Sequence, residues 1–170
     1  MAIGTRIGIV SDTHMPHRGK ELPQALVEGL KGVDLILHAG DFTDPYVIYL
    51  FEEIAPLEAV AGNNDGWEIY ERFGKRKVVN AGGLRIGLTH GDGGYRSTEE
   101  TARRAFSPED VDFIVFGHSH IPWKGELDGV LLFNPGSCMD KRRQPQYSYG
   151  ILEVGKDGFE VTHFFYPDKT

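Results

Sequence analysis

The chain has 170 residues, a net charge of −7 at pH 7, 40% hydrophobic residues and one cysteine, Cys138. This length supports one core of ordinary size, so we expect a single domain spanning residues 1–170 without an intramolecular disulfide. No apolar run reaches the roughly 20 residues that a membrane-spanning helix needs, and the N-terminus lacks the pattern of a secretory signal, so the predicted location is the cytoplasm.

The first half of the chain alternates predicted strands and helices. Short runs rich in Ile, Val and Leu predict buried strands over 6–11, 35–38 and 57–61. A proline near the start of each intervening segment is typical of a helix, which predicts helices over 23–31 and 44–54. Strands that alternate with helices over such short distances pair in parallel through helical crossovers.

The second half of the chain contains more strands than helices. Strands over 77–81 and 84–89 flank a Gly-Gly pair that is typical of a hairpin, and they follow a short helix over 67–73. Ser97 and Glu100 form a capping box, in which the Glu side chain should reach back, and a helix should follow. The remaining strands are predicted, with mainly antiparallel pairing, over 113–116, 123–127, 130–133, 147–154 and 159–165.

Short polar groups follow five of the predicted strands, each next to a glycine. They are Ser11–His14, Gly40–Asp41, Gly62–Asp65, Thr89–Asp92 and Gly117–His120. The carboxyl ends of parallel strands face a common crevice, so these residues should converge on one site. Asp12 and His14 are two residues apart, as are His118 and His120, and on extended backbone such a pair projects to one side.

The converging side chains are two carboxylates, four imidazoles and one carboxamide: Asp12, His14, Asp41, Asn63, His90, His118 and His120. A set without thiolates suits borderline or hard divalent ions such as Mn²⁺, Fe²⁺ or Zn²⁺. The set is too large for one tetrahedral zinc, but it suits two metals that share a bridging carboxylate and keep positions open for water and substrate. The chemistry indicated is cleavage of a phosphate ester by a hydroxide that bridges the two ions.

In these residues the sequence resembles the calcineurin-like metallophosphoesterases, and most closely their small YfcE-like phosphodiesterase branch. The family's blocks Asp-x-His, Gly-Asp, Gly-Asn, His-Gly and Gly-His-x-His occur here in that order, and Asn134–Ser137 resembles a block that follows in the small branch. The resemblance implies an α/β fold, a four-layer α/β/β/α sandwich of the metallo-dependent phosphatase type, with two packed mixed β-sheets flanked by helices. It also implies a dinuclear metal site on the loops at one sheet edge.

The resemblance further implies a role for each ligand. Three residues should hold each metal: Asp12, His14 and His120 the first, and Asn63, His90 and His118 the second. Asp41 should bridge the ions, and Asp41, Asn63 and His118 are the expected catalytic residues. His38 and Asp65 should support the ligands from behind. Mn²⁺ is the expected metal, with Fe, Zn, Ni or Co as alternatives, and the analogy suggests a homodimer or homotetramer.

One position departs from the family pattern. Many relatives have His directly after the motif Asn, where it can act as a general acid, but this chain has Asn64. General acid catalysis contributes about 10²- to 10⁴-fold, and its loss should matter most for poor leaving groups. We therefore expect a phosphodiesterase that acts on a small phosphate ester and has weak activity on alkyl monoesters.

Two other functions stay open. A noncatalytic protein-binding scaffold of the same fold would need an exposed apolar patch, which Phe164–Tyr166 together with Trp123 could supply. A metal-dependent phosphomonoesterase or nucleotide hydrolase would use the same ligands. The acidic net charge disfavours long nucleic acid, whose binding needs clustered Lys and Arg, and no membrane partner is expected.

Several residues are expected to lie outside this chemistry. Cys138 should be inert, because no neighbouring group makes a credible thiolate relay, and His163 should lie on the surface of the last strand. Lys141–Arg143 is most simply a solvated charge run, with attraction of phosphate at the mouth of the site as the alternative. The substrate-binding residues are left unassigned.

Overall fold

The computed structural model describes residues 4–170, so the first three residues of the predicted domain lie outside the described part. The elements follow in the order β1 (Thr5–Val10), α1 (Gln24–Gly29), β2 (Leu35–His38), α2 (Tyr46–Glu52), β3 (Leu57–Ala59), α3 (Trp67–Phe73), β4 (Arg76–Ala81), β5 (Leu84–Thr89), α4 (Thr98–Arg104), β6 (Phe113–Val115), β7 (Trp123–Leu127), β8 (Val130–Asn134), β9 (Tyr147–Gly155) and β10 (Gly158–Tyr166).

The strands form two five-stranded mixed sheets. The first has the order β10-β9-β1-β2-β3, in which β1, β2 and β3 are parallel and β9 pairs antiparallel with both β1 and β10. The second has the order β4-β5-β6-β8-β7, in which β5, β6 and β8 are parallel and the edge strands β4 and β7 are antiparallel to their neighbours. The predicted strand–helix alternation therefore produces the parallel pairs that we expected.

Alternating side chains divide each sheet between two hydrophobic layers. Between the sheets, Ile9 and Leu37 of the first sheet pack with Ile86, Val115 and Phe133 of the second. Helices α1, α2 and α3 cover the outer face of the first sheet, and α4 covers the outer face of the second. The chain is thus a four-layer α/β/β/α sandwich, and the fold that the resemblance implied is confirmed.

Two helix starts differ in detail from their predictions. Helix α2 begins at Tyr46, because Asp44 Oδ1 accepts from the Tyr46 backbone N–H at 3.0 Å and stays outside the helix. At α4, Ser97 Oγ accepts from the Glu100 N–H at 3.2 Å, as the capping box predicts. The Glu100 carboxylate, however, lies 3.7 Å from Arg96 Nε instead of reaching back, because it has an ion-pair partner there.

Two expectations about the last strand, β10, differ from the structure at least in part. His163 is half-buried: its Nε2 donates to Asn134 O at 2.7 Å, and its ring stacks on Phe133, with 4.2 Å between the ring centroids. In the run Phe164–Tyr166, Phe164 and Phe165 are 41% and 53% exposed, whereas Tyr166 is only 4% exposed, so two of the three side chains are at the surface. Alternate residues of a strand point to opposite faces. His163 lies on the same face of β10 as Val161, which packs between the two sheets.

None of the helices within residues 4–170 is long and apolar enough to cross a bilayer.

Candidate metal centre

The loops that follow five strands meet at one end of the two sheets. The Asp12 N–H donates to Gly40 O at 2.9 Å and the His14 N–H donates to Asp41 O at 3.0 Å, which joins the loops after β1 and β2. The Gly117 N–H donates to His90 O at 3.1 Å and so joins the loops after β5 and β6. The predicted convergence is therefore present, although two sheets contribute to it.

Asp12, His14 and His120 form a first cluster. Asp12 Oδ1 lies 3.8 Å from His14 Nε2 and 3.6 Å from His120 Nε2. The other oxygen, Oδ2, accepts from Ser11 Oγ at 2.8 Å and from the His118 N–H at 3.0 Å. The carboxylate is thus held from one side, and its second oxygen faces the two imidazoles.

Asn63, His90 and His118 form a second cluster. His90 Nε2 lies 3.0 Å from Asn63 Oδ1 and 3.3 Å from His118 Nδ1. Asn63 Oδ1 lies 3.2 Å from His118 Nδ1, so the three atoms surround one point. His90 Nδ1 donates to Ala39 O at 2.7 Å, which leaves Nε2 as the nitrogen that faces the cluster.

Asp41 lies between the two clusters. Its Oδ2 is 3.3 Å from His14 Nε2 and 3.3 Å from His90 Nε2. Asp12 Oδ1 is farther from both nitrogens, at 3.8 Å from each. Asp41 is therefore the carboxylate best placed to contact both clusters.

The spacings in the second cluster and around Asp41 Oδ2, 3.0–3.3 Å, suit ligands of a common ion, and those in the first cluster, 3.6 and 3.8 Å, are slightly longer. Two ligand atoms bonded to one metal at about 2.1 Å are about 3.0 Å apart in octahedral and about 3.4 Å apart in tetrahedral geometry. Within residues 4–170, three buried side-chain atoms have no hydrogen-bond partner: Asp12 Oδ1, His14 Nε2 and His120 Nε2. Such atoms are rare in folded proteins, and a cation between them would satisfy all three. The residues therefore fit divalent metal ions.

Electrostatics in the metal-free site favour a cation. Burial acts to lower the pKa of His14, but the carboxylates of Asp12 and Asp41 raise it to about 9. The pKa of His90 is raised to about 9 in the same way, against the effect of burial. Burial disfavours the charged form of Asp41, yet the neighbouring imidazoles hold its pKa well below the usual range. A divalent ion can replace the bound protons and experience the same attraction.

The backbone at the ligands is not extended, which corrects the reason that we gave for the projection of Asp12 with His14, and of His118 with His120, to one side. The φ values lie between +46° and +71° at five of the residues: Asp12, His14, Asp41, His118 and His120. Non-glycine residues adopt this left-handed region infrequently, and such strain concentrates at functional sites. The side chains converge because each loop turns back sharply after its strand.

Two glycines let neighbouring loops approach the carboxylates. A Cβ on Gly62 would collide with Asp41 Oδ1 and with the Asp41 backbone nitrogen. A Cβ on Gly117 would collide with Ser11 Oγ and Asp12 Oδ2. A larger residue at either position would displace a carboxylate of the site.

Asp65 lies behind Asp41, where a supporting residue was predicted. Its Oδ2 accepts from the backbone N–H groups of Asp41 at 2.8 Å and Gly62 at 2.7 Å, and its Oδ1 accepts from the Thr43 N–H at 2.8 Å. Burial raises the pKa of this carboxyl group. Asp65 therefore ties the loop after β2 to the loop after β3.

His38 lies beneath the Asp41 loop and is fully buried. Its Nδ1 accepts from the Gly40 N–H at 3.0 Å, and its ring stacks on Phe42, with 3.6 Å between the centroids. Burial lowers the pKa of His38 to about 3, so the ring is neutral. His38 does not face the clusters of the metal centre.

From the sequence, Asn64 was notable only because it replaces the His that can act as a general acid in many relatives. In the structure the Asn64 backbone N–H donates to Asp41 Oδ1 and its side-chain Nδ2 donates to Asp41 Oδ2, each at 2.9 Å. The residue therefore holds the central carboxylate from the solvent side. Its position directly after Asn63 was the available signal.

The Asn134–Ser137 block also supports the site, in a way that the sequence did not indicate. Ser137 Oγ donates to Asp12 O at 2.7 Å and accepts from the Asp140 N–H at 2.8 Å. Asn134 Nδ2 donates to Gly117 O and to Ser119 Oγ, both at 3.0 Å. The Asn134–Ser137 block therefore holds the loop after β1 of the first sheet and the loop after β6 of the second.

Cys138 and the charge run lie close to the site. Cys138 is fully buried, and burial raises the pKa of its thiol to about 12, in keeping with an inert residue. Lys141–Arg143 follows Asp140, whose carbonyl accepts from His120 Nδ1 at 2.5 Å. The charge run therefore adjoins the first cluster.

Comparison with known proteins identifies the superfamily of the chain. The family model of the calcineurin-like phosphoesterase superfamily domain matches residues 5–157. The chain belongs to this superfamily. A probable metallophosphoesterase from Methanothermobacter thermautotrophicus is 37% identical over 131 residues, which are 77% of this chain and 76% of that protein.

One further relative and one solved structure are also similar to the chain. A phosphodiesterase from Methanocaldococcus jannaschii is 31% identical over 164 residues, covering 88% of this chain and 90% of that protein. A Vps29 single mutant from Entamoeba histolytica has a TM-score of 0.74 and 20% identity, covering 95% of this chain and 99% of that one, which shows a shared fold alone. The chain is thus a metallophosphoesterase by family and resembles members of the small branch.

Proposed function

We propose that the chain is a metal-dependent phosphodiesterase that hydrolyses a small phosphodiester at the two ligand clusters. The observation that carries this proposal is the position of Asp41, whose Oδ2 lies 3.3 Å from one imidazole of each cluster. A carboxylate in that position is suited to bridge two ions. The remaining proposed ligands are Asp12, His14 and His120 for one ion and Asn63, His90 and His118 for the other.

The protein's own side chains set the charge of the site, and its backbone carbonyls orient two of the imidazoles. Two divalent ions, for which Mn²⁺ is the proposed choice, would supply the positive charge that acidifies a water molecule and neutralises the phosphoryl oxygens. Asp12 and Asp41 contribute two negative charges, so the loaded site keeps a net positive charge for an anionic substrate. The carbonyls of Ala39 and Asp140 accept from the Nδ1 atoms of His90 and His120, which fixes both tautomers with Nε2 toward the centre.

Asn64 supports a preference for diesters with good leaving groups. Its amide donates to Asp41 at 2.9 Å and carries no proton that it can transfer to a leaving alkoxide. A leaving group of low basicity, such as a phenolate, departs without such a proton, whereas an alkoxide needs it. The proposed enzyme should therefore act poorly on alkyl monoesters.

The primary experiment is hydrolysis of bis-p-nitrophenyl phosphate by metal-stripped protein that has been refilled with Mn²⁺. Asp41→Ala is compared with Asp110→Ala, which removes an exposed carboxylate that precedes β6, at the opposite end of that strand from the loop with His118. We expect activity that depends on metal, is lost in Asp41→Ala and is kept in Asp110→Ala. A folded, metal-loaded wild type without activity on any diester would contradict the proposal and favour the scaffold alternative.

The leaving-group preference has its own test. Rates on bis-p-nitrophenyl phosphate and on glycerol phosphate are measured for the wild type, Asn64→His and Asn64→Ala. We expect the wild type to prefer the diester strongly and Asn64→His to gain about tenfold or more on the monoester, since an imidazole can act as a general acid. Asn64→Ala removes the side-chain hydrogen bond to Asp41 Oδ2 without adding an acid, and it should show no such gain. Equal wild-type rates on both substrates would contradict the preference.

A further inference from the structure

A cationic pocket adjoins the first cluster. It has a volume of about 300 Å³ and is lined by residues 119–121 and 141–144. His120 belongs to both places: its ring takes part in the first cluster through Nε2, 3.6 Å from Asp12 Oδ1, and it also lines the pocket. The pocket and the first cluster are therefore adjacent, with the His120 ring between them.

One wall of the pocket carries an excess of positive charge. Lys141, Arg142 and Arg143 are consecutive, and the carboxylate that faces them is Asp140. Asp140 Oδ2 is shared, since it lies 4.0 Å from Arg142 Nε and 3.4 Å from Arg18 Nε. Within residues 4–170, Arg143 makes no ion pair, and Lys141 Nζ lies 5.7 Å from the centre of the Tyr147 ring. This excess is local, because the chain as a whole has a net charge of −7.

The wall is held in an uncommon conformation. Arg142 has a φ of +52°, and the Gln144 N–H donates to Lys141 O at 2.9 Å, so the cations lie on a closed turn. A non-glycine residue in the left-handed region is strained, and it persists where the surrounding structure fixes it. Lys169 Nζ donates to Arg18 O and to Met139 O at 3.1 Å, and so ties the C-terminus to the start of this segment.

The opposite side of the pocket is less polar. Ile121 is 47% exposed and lines it, beside Ser119. A planar guanidinium group binds phosphate oxygens through two parallel hydrogen bonds, which favours phosphate over a small halide or a neutral group. The apolar side chain suits the carbon skeleton that would connect a second phosphate to the reacting one.

We propose that this cationic pocket binds a second phosphate group of the substrate, so that the protein's substrates are small phosphodiesters that carry a further phosphate. This inference rests on the proposed function for the position of the reacting phosphorus. Arg142 and Arg143 are the specificity-determining residues, and Ile121 contacts the carbon skeleton between the phosphates.

The test uses two substrates that differ in one group. They are the p-nitrophenyl ester of a nucleoside monophosphate and the same ester with a second phosphate on its sugar. We expect the wild type to show a kcat/KM at least about tenfold higher for the second substrate, as hydrogen bonds to charged groups predict. The ratio should fall toward one in the double variant Arg142→Gln, Arg143→Gln. The matched control is Lys156→Gln, which removes an exposed cation at the opposite end of the sheet and should leave the ratio unchanged.

Binding separates this inference from the proposed function. Calorimetry on the same metal-loaded proteins compares a nucleoside bisphosphate with the corresponding monophosphate. Tighter binding of the bisphosphate, lost in the double variant, would support the pocket even if no diester were hydrolysed. Equal affinities in the wild type, or a preference that survives in the double variant, would overturn the inference.

Discussion

The buried imidazole of His38 predicts a specific dependence of stability on pH. Burial lowers the pKa of His38 from 6.5 to about 3 in the folded state, whereas the unfolded chain keeps the ordinary value. Between these values the unfolded state binds one more proton than the folded state, so the free energy of unfolding falls as the pH falls. Each pH unit in the window is worth about 1.4 kcal/mol, which gives a loss of about 2 kcal/mol between about pH 7 and about pH 5.

Two substitutions isolate this effect. His38→Asn keeps an acceptor for the Gly40 N–H, which the ring nitrogen accepts at 3.0 Å, and His38→Phe keeps an aromatic ring against Phe42. Neither replacement titrates in the window. Both variants should be less stable than the wild type at neutral pH, because each loses one of the two contacts. Their stability should nevertheless depend less steeply on pH.

The assay is urea unfolding of metal-free protein, followed by circular dichroism at several pH values across the window. Carboxylates and the other imidazoles titrate equally in all three proteins, so the comparison of slopes cancels them. We expect the wild type to lose about 2 kcal/mol more than either variant on acidification from about pH 7 to about pH 5. Parallel curves for the three proteins would refute the assignment of a buried, neutral imidazole.

Three further outcomes are expected. Gly62→Ala should weaken Mn²⁺ binding, measured by calorimetry, about tenfold or more, because its Cβ would collide with Asp41, whereas Gly66→Ala places its Cβ in open space and should bind normally. Ser137→Ala should also weaken Mn²⁺ binding, because it removes the donor to Asp12 O, and unchanged affinity would contradict the supporting role. Cys138 should resist a thiol reagent at about pH 8 in folded protein and react at once in denaturant, since a buried thiol forms little thiolate.

The sequence predicted where the strands end but not how the loops turn. Asp, Asn and His beside glycine are typical of loops, and the same residue types indicate a metal site. The left-handed backbone at Asp12 or His118 has no such signal, because these residues occur far more often in ordinary conformations. The convergence of the loops was predicted from the ends of the strands, whereas the extended backbone that was expected at the paired ligands was wrong.

Contacts between distant segments were the part that the sequence could not provide. Ser137 and Asp12 are joined by a hydrogen bond although they are 125 positions apart, and the half-buried ring of His163 stacks on Phe133 of another strand. Alternation within β10 predicts two faces, but it does not reveal which of them packs against the second sheet. The packing of the two sheets against each other determines this. That packing was indicated by the family resemblance and not by the periodicity of the sequence.

Each ligand cluster draws on both sheets, and this arrangement has a mechanical consequence. In the first cluster Asp12 and His14 follow β1, while His120 follows β6 of the other sheet. In the second cluster Asn63 follows β3, while His90 and His118 follow β5 and β6.

An ion bound in either cluster would therefore connect the two sheets at the end where their loops meet. The hydrophobic layer between the sheets already holds them together, and the hydrogen bond from the His118 N–H to Asp12 Oδ2 joins them at the site without a metal. The fold can thus form first and present a nearly complete set of ligands. Metal binding then relieves the buried unpaired atoms of Asp12, His14 and His120, so its free energy adds to the stability of a site that already exists.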